Sequence, residues 1–125
     1  MKQLTLVLKN EPGSLSGVCD ALDKIGININ SLTGMGLNHE GVIHFVTTDE
    51  KTAQRVLEQA GYKPAVSEVM TLRLKDSPGE LAKALRKLGH AKVNIDAIYL
   101  LERAKGEATI ALKVSDQEKA RDALK

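Results

Sequence analysis

Leu4, Leu6 and Leu8 alternate with Thr5, Val7 and Lys9, the period-2 signature of a strand with one apolar face. After Asn10-Glu11-Pro12-Gly13 the period changes. Leu15, Val18, Cys19, Leu22 and Ile25 recur at the spacing of one helical stripe, and the stripe stops at Gly26. Ile27, Ile29 and Leu32 open a second strand, Gly41 to Thr48 reads as a third, and Asn38-His39-Glu40-Gly41 supplies the turn between them. A second helix is predicted from about Lys51 to Ala60, with Ala53, Val56, Leu57 and Ala60 inward and Asp49 as its cap, and a short strand after Pro64.

The same patterns return 66 positions on, from Asn10 to Asp76. Leu4, Leu6 and Leu8 become Met70, Leu72 and Leu74, while the helix stripe becomes Leu81, Ala84, Leu85, Leu88 and Ala91. Two apolar periods in register mark an internal repeat. Val93, Ile95 and Ile98 repeat the second strand, Ala108, Ile110, Leu112 and Val114 the third, and Ala120, Ala123 and Leu124 the second helix. The predicted fold is α+β: two tandem βαββαβ units, residues 1–67 and 68–125, each an antiparallel sheet with two helices on one face. In the second unit the chain ends inside its last helix, so no residues remain for a last strand. The strand near Met70 to Lys75 then has an open edge, expected to be covered by another chain or by the first unit's own last strand.

Units of this size lie near the lower limit for burying an adequate core, so each is expected to lean on the other or on a second chain, and a homodimer is the expected form. The net charge of +2 arises from 18 basic and 16 acidic side chains spread along the whole length. Such a balance offers no positive field for nucleic acid or an anionic membrane. No apolar run reaches the roughly 20 residues of a membrane span, and Met1-Lys2-Gln3-Leu4-Thr5 enters a strand pattern with no secretory leader. With its single cysteine, Cys19, the chain fits a reducing cytoplasm.

Candidate chemistry sits in the repeated loop, Asn10-Glu11-Pro12-Gly13-Ser14-Leu15 and Asp76-Ser77-Pro78-Gly79-Glu80-Leu81. Pro at the first helical position costs no hydrogen bond, and Gly beside it leaves the neighbouring amides uncovered. A helix N-terminus so exposed suits a carboxylate or a phosphate. Asn28, and Asn94 in the repeat, follow where each helix returns the chain to the sheet, and a carboxamide both donates and accepts. Asn10 and Asn28 are therefore expected to read the ammonium and carboxylate of one small molecule, unless Asn28 and Asn94 serve only local backbone groups. The second loop is expected to differ, because Ser77 and Glu80 have the spacing of a capping box, and Asp76 with Glu80 repels a carboxylate.

At these residues the sequence resembles the ACT domain family, small amino-acid-sensing modules of regulated metabolic enzymes. Asn10-x-Pro12-Gly13-x-Leu15 with Gly26-Ile27-Asn28-Ile29, and Asp76-x-Pro78-Gly79-x-Leu81 with Val93-Asn94-Ile95, carry the resemblance over nearly the whole chain. It implies ferredoxin-like units without catalytic activity or cofactor, and an amino acid held at an interface between two ACT units. It assigns the ligand site to Asn10, Gly13, Ser14, Leu15 and Asn28; Glu11 and Pro12 complete the expected site, and Asp76, Gly79 and Asn94 in the second copy are expected to serve as partner surface or to contact an ammonium. A metabolic enzyme is the implied protein partner, and a plain interaction subunit whose loops hold no ligand is the alternative.

Other residues read as structural. Cys19 aligns with Leu85 and is expected in the core. His39, His44 and His90 show no ligand spacing for a metal. Gly34-x-Gly36 leads to a strand rather than a helix, so it is expected to mark a close backbone approach, not a phosphate loop. Phe45, Tyr62 and Tyr99 are too few, and lack the basic strand motif, for stacking RNA bases. No nucleophile or paired-carboxylate constellation is present.

Overall fold

The computed structural model describes residues 1–125. By contact the chain divides into a first unit, Lys2–Ser67, and a second, Glu68–Lys125 together with Met1. Met1 joins the second through its carbonyl, which accepts from the Val69 N–H at 2.8 Å, and its ammonium, 3.5 Å from Glu68.

The first unit runs β1 (Lys2–Lys9), α1 (Ser14–Asp23), β2 (Ile29–Leu37), β3 (Glu40–Thr47), α2 (Glu50–Gln59) and β4 (Ala65–Glu68), β4 ending on a residue that groups with the second unit. Its sheet has the order β2-β3-β1-β4. The β1–β3 register sets Leu4 opposite Phe45 and Leu6 opposite Ile43, so these side chains share one face. There they form a core with Val18 and Leu22 of α1 and Ala53 and Leu57 of α2. On the opposite face Thr5 Oγ1 lies 2.9 Å from His44 Nδ1, beside the buried Gln3.

The second unit repeats the plan as β5 (Met70–Lys75), α3 (Glu80–His90), β6 (Ile95–Ala104), β7 (Glu107–Val114) and α4 (Gln117–Leu124), with sheet order β5-β7-β6. Met70, Leu72, Ile110 and Leu112 pack with Leu88 and Ala120. Asp49 caps α2 by accepting from the Thr52 N–H at 3.2 Å, and hydrogen bonding from the Thr52 side chain, then from its backbone, holds the carboxyl below the ordinary 3.8. Asp116 caps α4 in the same way.

Three expectations are corrected at the helix starts and in α1. Pro12 is not the first helical residue: Glu11–Ser14 is a type II turn, with Gly13 at φ 90°, ψ −15° and the Ser14 N–H 3.3 Å from the Glu11 carbonyl, and α1 begins only at Ser14. Ser77-Pro78-Gly79-Glu80 builds the same turn, so the Ser77–Glu80 capping box does not form; α3 starts after Gly79 with no side-chain cap, and Glu80 pairs with Lys83 at 3.3 Å. Cys19 is half-buried and outside the core cluster.

β4 pairs with β1 at the edge of the first unit's sheet. The outer edge of Met70–Lys75 carries no strand within its sheet. An edge of this kind pairs readily with another chain. We therefore expect light scattering to show a dimer with slow amide exchange along β5; a monomer whose β5 amides exchange freely contradicts it.

Candidate functional site

The first loop is anchored before the helix begins. The Asn10 N–H donates to the His39 carbonyl at 2.8 Å, and Asn10 Nδ2 donates to the Asn38 carbonyl at 3.0 Å, tying the end of β1 to the β2–β3 turn. Asn38 adopts φ 58°, a backbone form that asparagine tolerates. Beside the loop lies a cavity of about 300 Å³. Its polar rim is Lys9, Asn10, Glu11 and Ser14, its apolar wall Leu8, Leu15, Met35 and Ile43, and its floor Gly34, Gly36 and Gly41.

The glycines decide the shape of that floor. A Cβ on Gly36 would stand 2.7 Å from Asn10 Nδ2, so the carboxamide lies directly over bare backbone. A Cβ on Gly34 would meet Ile43 Cδ1 at 2.9 Å. The close approach expected of Gly34-x-Gly36 is thus made by side chains of the same unit. Above the floor, α1 presents its first turn without a side-chain cap, and the Ser16 hydroxyl turns back to the Gly13 carbonyl at 3.0 Å. The site presents a carboxamide, a hydroxyl, one cation and one anion, a set that can hydrogen-bond a small dipolar molecule.

The second loop has the same backbone and different chemistry. The Asp76 N–H donates to the Gly106 carbonyl at 2.8 Å, as Asn10 does to His39. The side chain, however, forms an ion pair, Asp76 Oδ2 to Arg103 Nε at 3.1 Å. Arg103 faces Ala108 and Gly36 faces Gly41, while Leu74 faces Ala108 and Leu8 faces Gly41, so Arg103 occupies the place of Gly36. With Asp76 neutralised by Arg103 and Glu80 by Lys83, the repulsion of a carboxylate expected from Asp76 and Glu80 loses its basis.

Asn28 and Asn94 lie elsewhere. The Asn28 N–H donates to Thr48 Oγ1 at 3.1 Å, its carbonyl accepts from the Thr48 N–H, and its Nδ2 donates to Asn30 Oδ1 at 2.8 Å. Asn94 does the same with Ser115 and Asp96. Thr47 and Glu40 mark opposite ends of β3, about 24 Å apart at ~3.4 Å per residue, and Asn10 lies at the Glu40 end. One small molecule therefore cannot span Asn10 and Asn28 of the same unit. The sequence reading overlooked Arg103, because a strict 66-residue shift places Glu102 at Gly36. The available signal was the turn, since Lys105-Gly106 follows Asn38-His39 by 67 positions.

The family model of the ACT domain pair matches residues 1–124. The chain belongs to the ACT domain pair family. No curated protein matches this ACT domain pair. Among solved structures it is similar to a Bacteroides thetaiotaomicron protein, with 26% identity, TM-score 0.88, and 98% of this chain and 85% of that one covered. It shares its fold with the regulatory subunits of aspartate kinase from Thermus thermophilus and Thermus flavus. The first has 18% identity, TM-score 0.73, and 98% of this chain and 87% of that one covered. The second has 19% identity, TM-score 0.71, and the same coverage, 98% and 87%.

Proposed function

We propose that this ACT domain pair is a regulatory module without catalytic activity that binds an amino acid at the first Pro-Gly loop. The observation that carries the reading is the cavity of about 300 Å³ between Asn10 and the uncapped start of α1, floored by three glycines. Asn10, Glu11 and Ser14 supply its polar contacts and Leu15 an apolar edge, while Pro12 and Gly13 fix the turn that presents them. Asn28 and Asn94 take part only when donated by another ACT unit, because within a unit they lie at the far end of the sheet. Asp76 and Gly79 hold the equivalent positions at the second loop. Binding regulates by favouring one packing of protomers over another, to the extent that the ligand's affinity differs between them. The partner in this reading is a cytoplasmic enzyme of amino-acid metabolism.

A thermal-shift screen against the twenty amino acids tests the proposal. One or a few are expected to raise the melting temperature reproducibly, because only the folded state binds, and Asn10→Ala is expected to reduce that rise. A panel with no rise favours the alternative, an interaction subunit whose exposed Met35, Leu37 and β5 edge meet a protein partner without a ligand.

A further inference from the structure

We propose that the cavity beside the second Pro-Gly loop binds an amino acid with an aliphatic side chain, its carboxylate held by Arg103 and its ammonium by Asp76. The inference rests on the reading that the Pro-Gly loops border ligand sites, and it assigns the second site a ligand class of its own.

The cavity measures about 370 Å³; Leu74, Leu81, Ile98, Leu100, Ala108 and Ile110 form a hydrocarbon wall, and Lys75, Ser77 and Tyr99 complete the lining beside Asp76 and Arg103. Leu81 and Ile98 are each 40% exposed and Leu100 51%, so the wall is apolar surface that an entering side chain would remove from water. Leu100 stands where the first cavity has Gly34, and Ala108 where it has Gly41. The second cavity is therefore lined by side chains where the first is floored by backbone.

Its polar end is the ion pair. Arg103 touches Asp76 through Nε, at 3.1 Å from Oδ2, which leaves both Nη groups of a guanidinium fork and the second carboxylate oxygen for a ligand. Asp76 thereby holds the guanidinium at this end, and the pair itself carries no net charge, with the Lys75 ammonium as one further cation on the rim. A lone anion meets Asp76 as well as Arg103, and a lone cation meets Arg103 as well as Asp76. A zwitterion matches both charges at once, with its side chain laid against the leucines.

Calorimetry on the full chain with L-leucine as the probe tests this. Arg103→Gln is expected to weaken L-leucine binding about tenfold or more, the usual scale for losing a charge-assisted pair. Leu100→Gly, which copies the first unit, is expected to weaken it through the lost apolar wall. The oxo acid of the same skeleton, 4-methyl-2-oxopentanoate, is expected to bind more weakly than L-leucine, and Asp76→Asn to narrow that difference. Absence of L-leucine binding overturns the proposal, as does unchanged binding in both Arg103→Gln and Leu100→Gly. If another amino acid binds and is lost in Asn10→Ala but not in Arg103→Gln, the sensor reading of the first loop stands and this one falls. If none of the twenty binds, both fall.

Discussion

Phe45→Ala is expected to destabilise the protein by about 3–5 kcal/mol, the range for removing a large buried aromatic side chain. Phe45 is fully buried, stands across the β1–β3 ladder from Leu4, and packs in the cluster that holds α1 and α2 on the sheet. It is the only phenylalanine in the chain and the largest of its fully buried side chains. The loss is a large share of the ~5–15 kcal/mol that stabilises a typical domain. Leu112 holds the matching place opposite Met70, and Leu112→Ala is expected to cost about 2–5 kcal/mol. Urea unfolding followed by circular dichroism reads both values, and amide exchange should show protection falling first in β1 and β3 for Phe45→Ala. A cost below about 1 kcal/mol for Phe45→Ala would mean that the packing described for the first unit is wrong.

The second large effect separates two glycines that look alike by space alone. A Cβ added at Gly13 or at Gly89 meets nothing within 4 Å. Only the backbone distinguishes them. Gly13 sits at φ 90° as the third residue of its turn, whereas Gly89 lies inside α3. Gly13→Ala is expected to cost about 1–2 kcal/mol, because a Cβ in the left-handed region crowds the following carbonyl. Gly89→Ala is expected to add about 0.5–1 kcal/mol by reducing the freedom of the unfolded chain within a helix. Urea midpoints moving in opposite directions are the expected result, and a shift of both in the same direction sinks the turn assignment. Because the Gly13 turn also presents Asn10 and Ser14, its variant should weaken whatever the first cavity binds.

The periodicities of the sequence carried the fold a long way. Leu4-Leu6-Leu8 and Met70-Leu72-Leu74 became β1 and β5, and Val18 with Leu22, and Ala84 with Leu88, became the buried stripes of α1 and α3. Two competing local rules were misjudged. Pro at a helix start suggests the first helical position, but Pro followed by Gly satisfies a type II turn one step earlier, and the turn prevailed. Ser-x-x-Glu suggests a capping box, but the same turn engages Ser77 through its backbone carbonyl.

The candidate site was legible in part for a different reason. Residues adjacent in the chain, such as Asn10 and Ser14, line one cavity, as a motif suggests. Residues related through the sheet were not legible. Asn28 follows a helix that carries the chain back to the opposite end, a matter of strand direction that no spacing reveals. Arg103 was hidden by the irregularity between Leu100 and Glu102 in β6, which adds one residue to the strand and moves the guanidinium into the place of Gly36.

The contrast between Asn10 and Asp76 also makes ionic strength a variable of the molecule. Arg103 is two-thirds exposed in its pair with Asp76, so dissolved salt weakens that contact as the screening length falls from about 10 Å at 0.1 M to about 3 Å at 1 M. The Asn10 carboxamide donates to a neutral carbonyl and is indifferent to such screening. Two loops built on one backbone plan thus differ in how they are held: dissolved ions loosen the anchor of the second and leave the carboxamide anchor of the first as it was.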